Sequence, residues 1–131
     1  MKKTIIGTAS ILGLLSIIFG AFGAHALKEV LTPEQLVSFE TGVRYQMYHA
    51  LFLLFVGSTS FLSAKQNRTI FILTIIGVIL FSGSIYLLAT QSISGISFKF
   101  LGPITPIGGM FMIIAWIVLF VSILRQKSPN N

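Results

Sequence analysis

Cysteine is absent from the 131 residues, which excludes disulfides, thiol catalysis and thiolate metal sites. Charge is nearly as scarce. Asp, Glu, Lys and Arg make up 9% of the chain, against about 25% in an ordinary soluble domain. With a mean hydropathy of +0.92, the chain cannot supply the polar shell that a soluble fold of this size needs. Acids are rarest of all: Glu29, Glu34 and Glu40 are the only three. None lies inside an apolar run, which argues against a proton-driven pump of conventional design. No G-x-S-x-G, H-E-x-x-H, phosphate-binding loop or dinucleotide fingerprint occurs. The net charge of +6 does not point to nucleic acid, because no basic helix face or aromatic-basic interleaving accompanies it.

Long apolar runs fill the space that charge leaves. Thr4 to Ala24 has no Asp, Glu, Lys, Arg or His, Tyr45 to Ala64 has only His49 of these, and Thr69 to Phe98 and Phe100 to Leu124 have none. About 20 apolar residues make a helix that crosses a hydrocarbon core roughly 30 Å thick. The reading is an all-α integral membrane protein, a four-helix bundle forming one transmembrane domain over residues 1–131. Its spans are expected at 4–24, 43–62, 69–90 and 106–124. The start, Met1-Lys-Lys followed by an apolar run and Ala24-His25-Ala26, imitates a secretory signal. The run is longer than a signal h-region of about 7–15 residues, so a retained helix is expected. Residues 128–131 read as disordered.

Lys2, Lys3, Lys65, Arg68, Arg125 and Lys127 fall on one side of such a bundle, and Lys28, Arg44 and Lys99 on the other. Six against three places both termini in the cytoplasm. The expected location is the bacterial cytoplasmic (inner) membrane, in a multi-pass arrangement. Between helices 1 and 2, Thr32-Pro33-Glu34-Gln35 is a helix start with a capping box. Leu36, Phe39 and Val43 then recur at helical spacing. A short amphipathic interfacial helix running into helix 2 is expected there. Thr105-Pro106 repeats the Thr-Pro start at helix 4. An extended or partly re-entrant loop is expected over residues 93–100.

Helix 1 has small residues at Ala9, Gly13, Ser16, Gly20 and Gly23, all on one stripe. Membrane helices associate by close packing, so the stripe predicts a seam against another helix of the chain. A homo-oligomer contact or a ligand groove is the alternative. Thr74, Gly77 and Ser84 make a weaker set on helix 3, and Gly108 and Gly109 permit close approach at helix 4.

His49 is the one ionisable group inside a span, and such groups are costly in lipid. Arg44, Tyr45, Gln46, Tyr48 and His49 cluster at the top of helix 2, Glu40 and Arg44 are i,i+4 partners, and His25 ends helix 1 on the same side. As a site, this outward-facing cluster could bind a small anion through Arg44, or a metal through His25, His49 and a carboxylate. It could also form a pH-sensitive network. The plainer reading is interfacial anchoring and hydrogen bonding across helix ends. The candidate residues are His25, Glu40, Arg44, Tyr45, Gln46, His49 and Thr105. One polar network joining Arg44 and His49 near His25 is expected to close the outer end of the bundle, with helix 2 central. The function expected is non-enzymatic: ligand binding, transport or support of a membrane assembly. A membrane enzyme or metal-binding protein using His25 and His49 is the alternative. No cofactor is expected. The lipid bilayer is the expected partner, with a small ligand, a membrane protein or a second copy open.

Gly20-Ala-Phe-Gly-Ala-His-Ala-Leu27, Thr41-Gly-Val-Arg-Tyr-Gln-Met-Tyr-His-Ala-Leu51 and Pro103-Ile-Thr-Pro-Ile-Gly-Gly109 with Trp116 resemble the YwdK-type family. These are small four-span membrane proteins that include human transmembrane protein 256. The resemblance covers nearly the whole chain. It implies a four-helix membrane protein and brings no settled activity, so it transfers no catalytic residue. The positions matching its motifs are His25, Arg44, Tyr45, Gln46, His49, Thr105, Pro106 and Gly108. Gly42 stands where the family pattern leads one to expect Ala, which predicts a slightly looser start to helix 2.

Overall fold

A computed structural model describes residues 1–126; the tail expected to be disordered lies outside them. Four helical rods run antiparallel in sequence. The first is α1, Lys2–Ala24, and the second is α2, Pro33–Ser58. The third joins α3, Ala64–Val78, to α4, Ser84–Ala89, through a π-helical turn at Ile79–Gly83. The short α5, Gln91–Ser94, precedes the fourth rod, α6, Ile104–Leu124. Among the described residues there is no strand. The rods pack in chain order, α1 on α2, α2 on α3 and α4, and α3 on α6. Helix 2 is central, as expected.

Two capping boxes set the register. Thr32 and Gln35 exchange bonds of 3.0 and 3.2 Å, and Ser63 and Gln66 exchange bonds of 2.9 and 3.2 Å. Each satisfies two backbone donors that a helix start leaves orphaned. The Ser63 box begins the third rod at Ala64, five residues before the expected Thr69, and draws Lys65 and Arg68 into its first turns. The Thr32 box starts α2 where expected, but no separate interfacial helix follows. Nothing between Gln35 and Ser58 breaks the helix, so the amphipathic turns belong to α2 itself. At 26 residues that helix is about 39 Å long, and its first turns extend beyond a membrane core.

Three helical stretches, Lys2–Glu29, Ala64–Ala89 and Lys99–Leu124, are long and apolar enough to cross a membrane. The expected fourth, α2, is long enough but less apolar, because Arg44, Gln46 and His49 occupy its middle. The expected extended or partly re-entrant loop at 93–100 is irregular only over residues 95–98; α5 covers its first two residues, Gly95 follows at φ 73°, and a 3-10 turn begins at Lys99. Gly95 supplies the left-handed residue that ends α5. Thr105 is not a helix cap, since α6 begins at Ile104 without a side-chain cap. Pro106 falls in the first turn, where its missing N–H costs nothing.

The small-residue stripe of α1 faces α2. Ala9 and Ser16 are buried, and a Cβ on Gly13 would lie 3.8 Å from Ala50 Cβ. One on Gly20 would lie 3.6 Å from Val43 Cγ1. The second seam is tighter. A Cβ on Gly108 would collide with the Phe81 amide nitrogen, and one on Gly77 would lie 3.0 Å from the Met112 nitrogen. Backbones of the third and fourth rods therefore touch where the π-turn sits. Ile5, Leu53, Val56, Ile70, Ala115 and Leu119 fill the core at the end nearer Met1. Leu31, Phe39 and Ala89 form a smaller one at the opposite, distal end.

Candidate functional site

The buried polar side chains of α2 point to different neighbours. Gln46 is 3% exposed. Its Nε2 donates to the Leu12 carbonyl of α1 at 2.9 Å, and its Oε1 accepts from the Tyr86 hydroxyl of α4 at 2.6 Å. Ser16 Oγ donates to the same Leu12 carbonyl at 2.8 Å. One amide thus ties three rods together. His49, 4% exposed, is bonded at both ring nitrogens. Nδ1 lies 2.7 Å from the Tyr45 carbonyl, and Nε2 lies 3.2 Å from Trp116 Nε1 of α6. The indole N–H can only donate, so Nε2 accepts and the proton of the neutral ring belongs on Nδ1. Trp116 also stacks on Phe52, with centroids 4.2 Å apart.

Two hydroxyls extend this layer. Ser82, in the π-turn, donates to the Gly42 carbonyl at 2.7 Å. Ser84 Oγ and Thr105 Oγ1 lie 2.6 Å apart, joining α4 to α6. In lipid every such group must find a partner inside the protein. These eight side chains, on four helices and a π-turn, do.

The remaining candidates lie outside the layer. Arg44 is exposed, and its Nη2 reaches Thr41 Oγ1 at 3.3 Å. Glu40 is exposed and makes no ion pair with it among the described residues. Tyr45 contributes its carbonyl to His49 while its half-exposed ring packs on Tyr48 and Phe81. His25 caps α1 in the open. The close pairs Gly23–Phe39 and Gly13–Ala50 put it level with residue 37 or 38 of α2, about 16 Å along the axis from His49. The structure therefore does not bring His25 and His49 together, and Arg44 shares no bond with His49. Among the described residues no three His, Asp or Glu side chains are grouped to hold a metal.

Thr105 also lines a groove of about 500 Å³ at the distal end between the first turns of α2 and the α4–α5 corner. Ile85, Leu88 and Ala89 give it an apolar wall; Glu34, Thr41 and Gln91 give it a polar one. Gln35 Nε2 reaches Ser92 Oγ at 3.3 Å, linking α2 to α5.

Tyr86 and Ser82 had no sequence signal of their own, since aromatic and hydroxyl residues are ordinary in spans, and Trp116 stood out only as part of the family motif. Gly42 was the available clue to Tyr86. A Cβ there would lie 2.8 Å from Tyr86 Cε1. Gly42 does not loosen helix 2; it lets the ring reach Gln46.

The family described as "Protein of unknown function (DUF423)" matches residues 19–109. The UPF0382 membrane protein YwdK of Bacillus subtilis is 40% identical over 128 residues, covering 94% of this chain and 98% of that one. A UPF0382 membrane protein of Haemophilus influenzae is 34% identical and covers 98% and 99%. One from Schizosaccharomyces pombe is 38% identical and covers 90% and 99%. No solved structure matches. The all-helical fold, the three strongly apolar helices and these full-length relatives agree: the chain belongs to the DUF423 family of membrane proteins.

Proposed function

We propose that this chain is a non-catalytic membrane protein, with all four rods spanning, that offers its distal groove to a small amphiphilic ligand. The observation that carries this reading is the division of the polar groups. Inside the rods, His49, Gln46, Tyr86, Ser82, Ser84 and Ser16 close on partners within the chain, which suits holding helices together. At the groove, Glu34, Thr41 and Gln91 converge beside an apolar wall, the usual composition of a small-molecule site. The rival reading, metal or enzyme chemistry through His25 and His49, is not supported by their separation or by the doubly bonded His49 ring.

The less apolar α2 is sheltered because α1 and the third rod flank it. It can cross a bilayer with Gln46 and His49 turned away from lipid. With an even number of spans and the basic bias of the loops, both termini are cytoplasmic and the groove faces outward. Matching relatives from Bacillus and staphylococci favour a bacterial cytoplasmic membrane.

Because the chain has no cysteine, single-cysteine variants test the topology directly. Ser38→Cys and Ser97→Cys are expected to react with an impermeant maleimide on intact cells, and Ser63→Cys only after permeabilisation. Labelling of Ser63→Cys on intact cells overturns the orientation. Native mass spectrometry of the purified protein tests the groove. Retention of a small molecule that Ala89→Trp displaces is expected, and retention unaffected by Ala89→Trp would move the ligand elsewhere.

A further inference from the structure

We infer that the distal groove selects a cationic amphiphile, an ammonium group on a compact apolar body, with Glu34 as its counter-ion. The inference rests on the groove reading above and adds the chemical class. Glu34 is the one charged residue on the lining. The other polar lining groups are amides and hydroxyls, which orient a ligand and do not choose its charge. No cationic side chain lines the groove itself, although Arg44 Nη2 reaches the lining Thr41 Oγ1 at 3.3 Å from outside it. Among the described residues no ion pair engages Glu34, and Gln35, not Glu34, completes the capping box. The carboxylate is therefore free to face a ligand. It lies in the first turn of α2.

The position fits an amphiphile. Glu34 is at the water-facing start of a helix longer than the membrane core is thick, and the apolar wall of Ile85, Leu88 and Ala89 belongs to the strongly apolar stretch Ala64–Ala89. An ammonium group would stay at the interface while its apolar body lay against that wall, as lysine side chains snorkel. Lys99, on the following loop, lines an adjoining recess with Gly95 and Ile96 that shares Gln91 with the groove.

The test uses the full chain in nanodiscs of phosphatidylcholine, with empty nanodiscs as the blank. Hexylammonium, hexanol and hexanoate share one apolar body and differ in charge. By calorimetric titration, hexylammonium is expected to bind about fivefold tighter than hexanol, the upper range for an ion pair that remains partly in water. Hexanoate is expected to bind weakest. Glu34→Gln, an exposed and structurally mild change, is expected to bring hexylammonium to the affinity of hexanol and leave hexanol unchanged. Leu88→Trp is expected to abolish both. Equal binding of all three probes that is lost in Leu88→Trp overturns the cation class and leaves the groove. Probe binding indifferent to Leu88→Trp, or no binding at all, overturns the groove and the inference together. Unchanged hexylammonium binding in Glu34→Gln removes Glu34 as counter-ion.

Discussion

Trp116 Nε1 donates to His49 Nε2 at 3.2 Å, so the last helix and the central helix share one hydrogen bond through the only His, Lys, Arg, Asp or Glu side chain that is buried among the described residues. That bond gives His49 a task that needs no ligand. His49→Leu leaves the indole N–H without its partner and is expected to lower stability by about 1–3 kcal/mol. Trp116→Phe removes the same bond with less loss of packing. A double-mutant cycle, read from thermal unfolding in detergent, is expected to give a coupling of about 0.6–1.7 kcal/mol, the range seen for hydrogen bonds between membrane helices. Zero coupling would return His49 to simple interfacial anchoring.

Gln46 is expected to matter more than His49. Gln46→Leu breaks the link to Leu12 and leaves the Tyr86 hydroxyl, bonded at 2.6 Å, without an acceptor. Tyr86→Phe removes the hydroxyl cleanly and leaves Gln46 one free acceptor. Unfolding midpoints in detergent should fall further for Gln46→Leu than for Tyr86→Phe. The double variant should be less damaging than the sum of the two, because the orphaned hydroxyl is then gone.

Glycines on the two seams are expected to behave oppositely. Gly13 has room for a methyl group at ordinary contact distance, 3.8 Å from Ala50 Cβ. Gly13→Ala should change stability by less than about 0.5 kcal/mol. At Gly108 the added methyl would meet backbone of the π-turn, which cannot rotate aside. Gly108→Ala should cost about 1–3 kcal/mol or more, the usual range for overpacking. Thermal midpoints of the two variants, compared in one detergent, check the contrast.

Asn67 is 2% exposed, and its Oδ1 has no hydrogen-bond partner among the described residues. Asn67→Leu, of similar volume, is expected to raise stability by about 1–3 kcal/mol, the desolvation cost of an orphaned polar group. A lower midpoint in Asn67→Leu would mean that the amide has a partner in the membrane-embedded protein.

What was legible in the sequence followed from periodicity and local chemistry. The stripe from Ala9 to Gly23 and the Thr32 box both act within a few residues and overrode nothing. The Ser63 box obeyed the same rule but was masked by Lys65 and Arg68, whose charge read as loop. The site was less legible. Five residues of helix turn Arg44 about 140° away from His49, which the expectation of one joined network did not use, and spacing could not say which neighbour each would meet. His49 chose Trp116, 67 residues away in the chain, and Tyr86 depended on the absence of a methyl group at Gly42. Long-range partners are set by how rods cross, and crossing is decided by close approaches such as Gly77–Gly108 that no single helix displays.

The π-turn at Ile79–Gly83 accommodates one residue more than an α-helical turn would. Everything after it is swung by about 100° relative to an uninterrupted helix. Before the turn, Gly77 meets the last helix; after it, Tyr86 meets Gln46 on the central one while Ser84 still reaches Thr105. A straight rod presents one continuous face, and here the inserted residue lets a single rod serve two clients. The two ends of the molecule are in this sense phased independently. The backbone contact of Gly77 with Gly108 can stay fixed while the distal end, with its groove, is tuned by changes beyond Gly83.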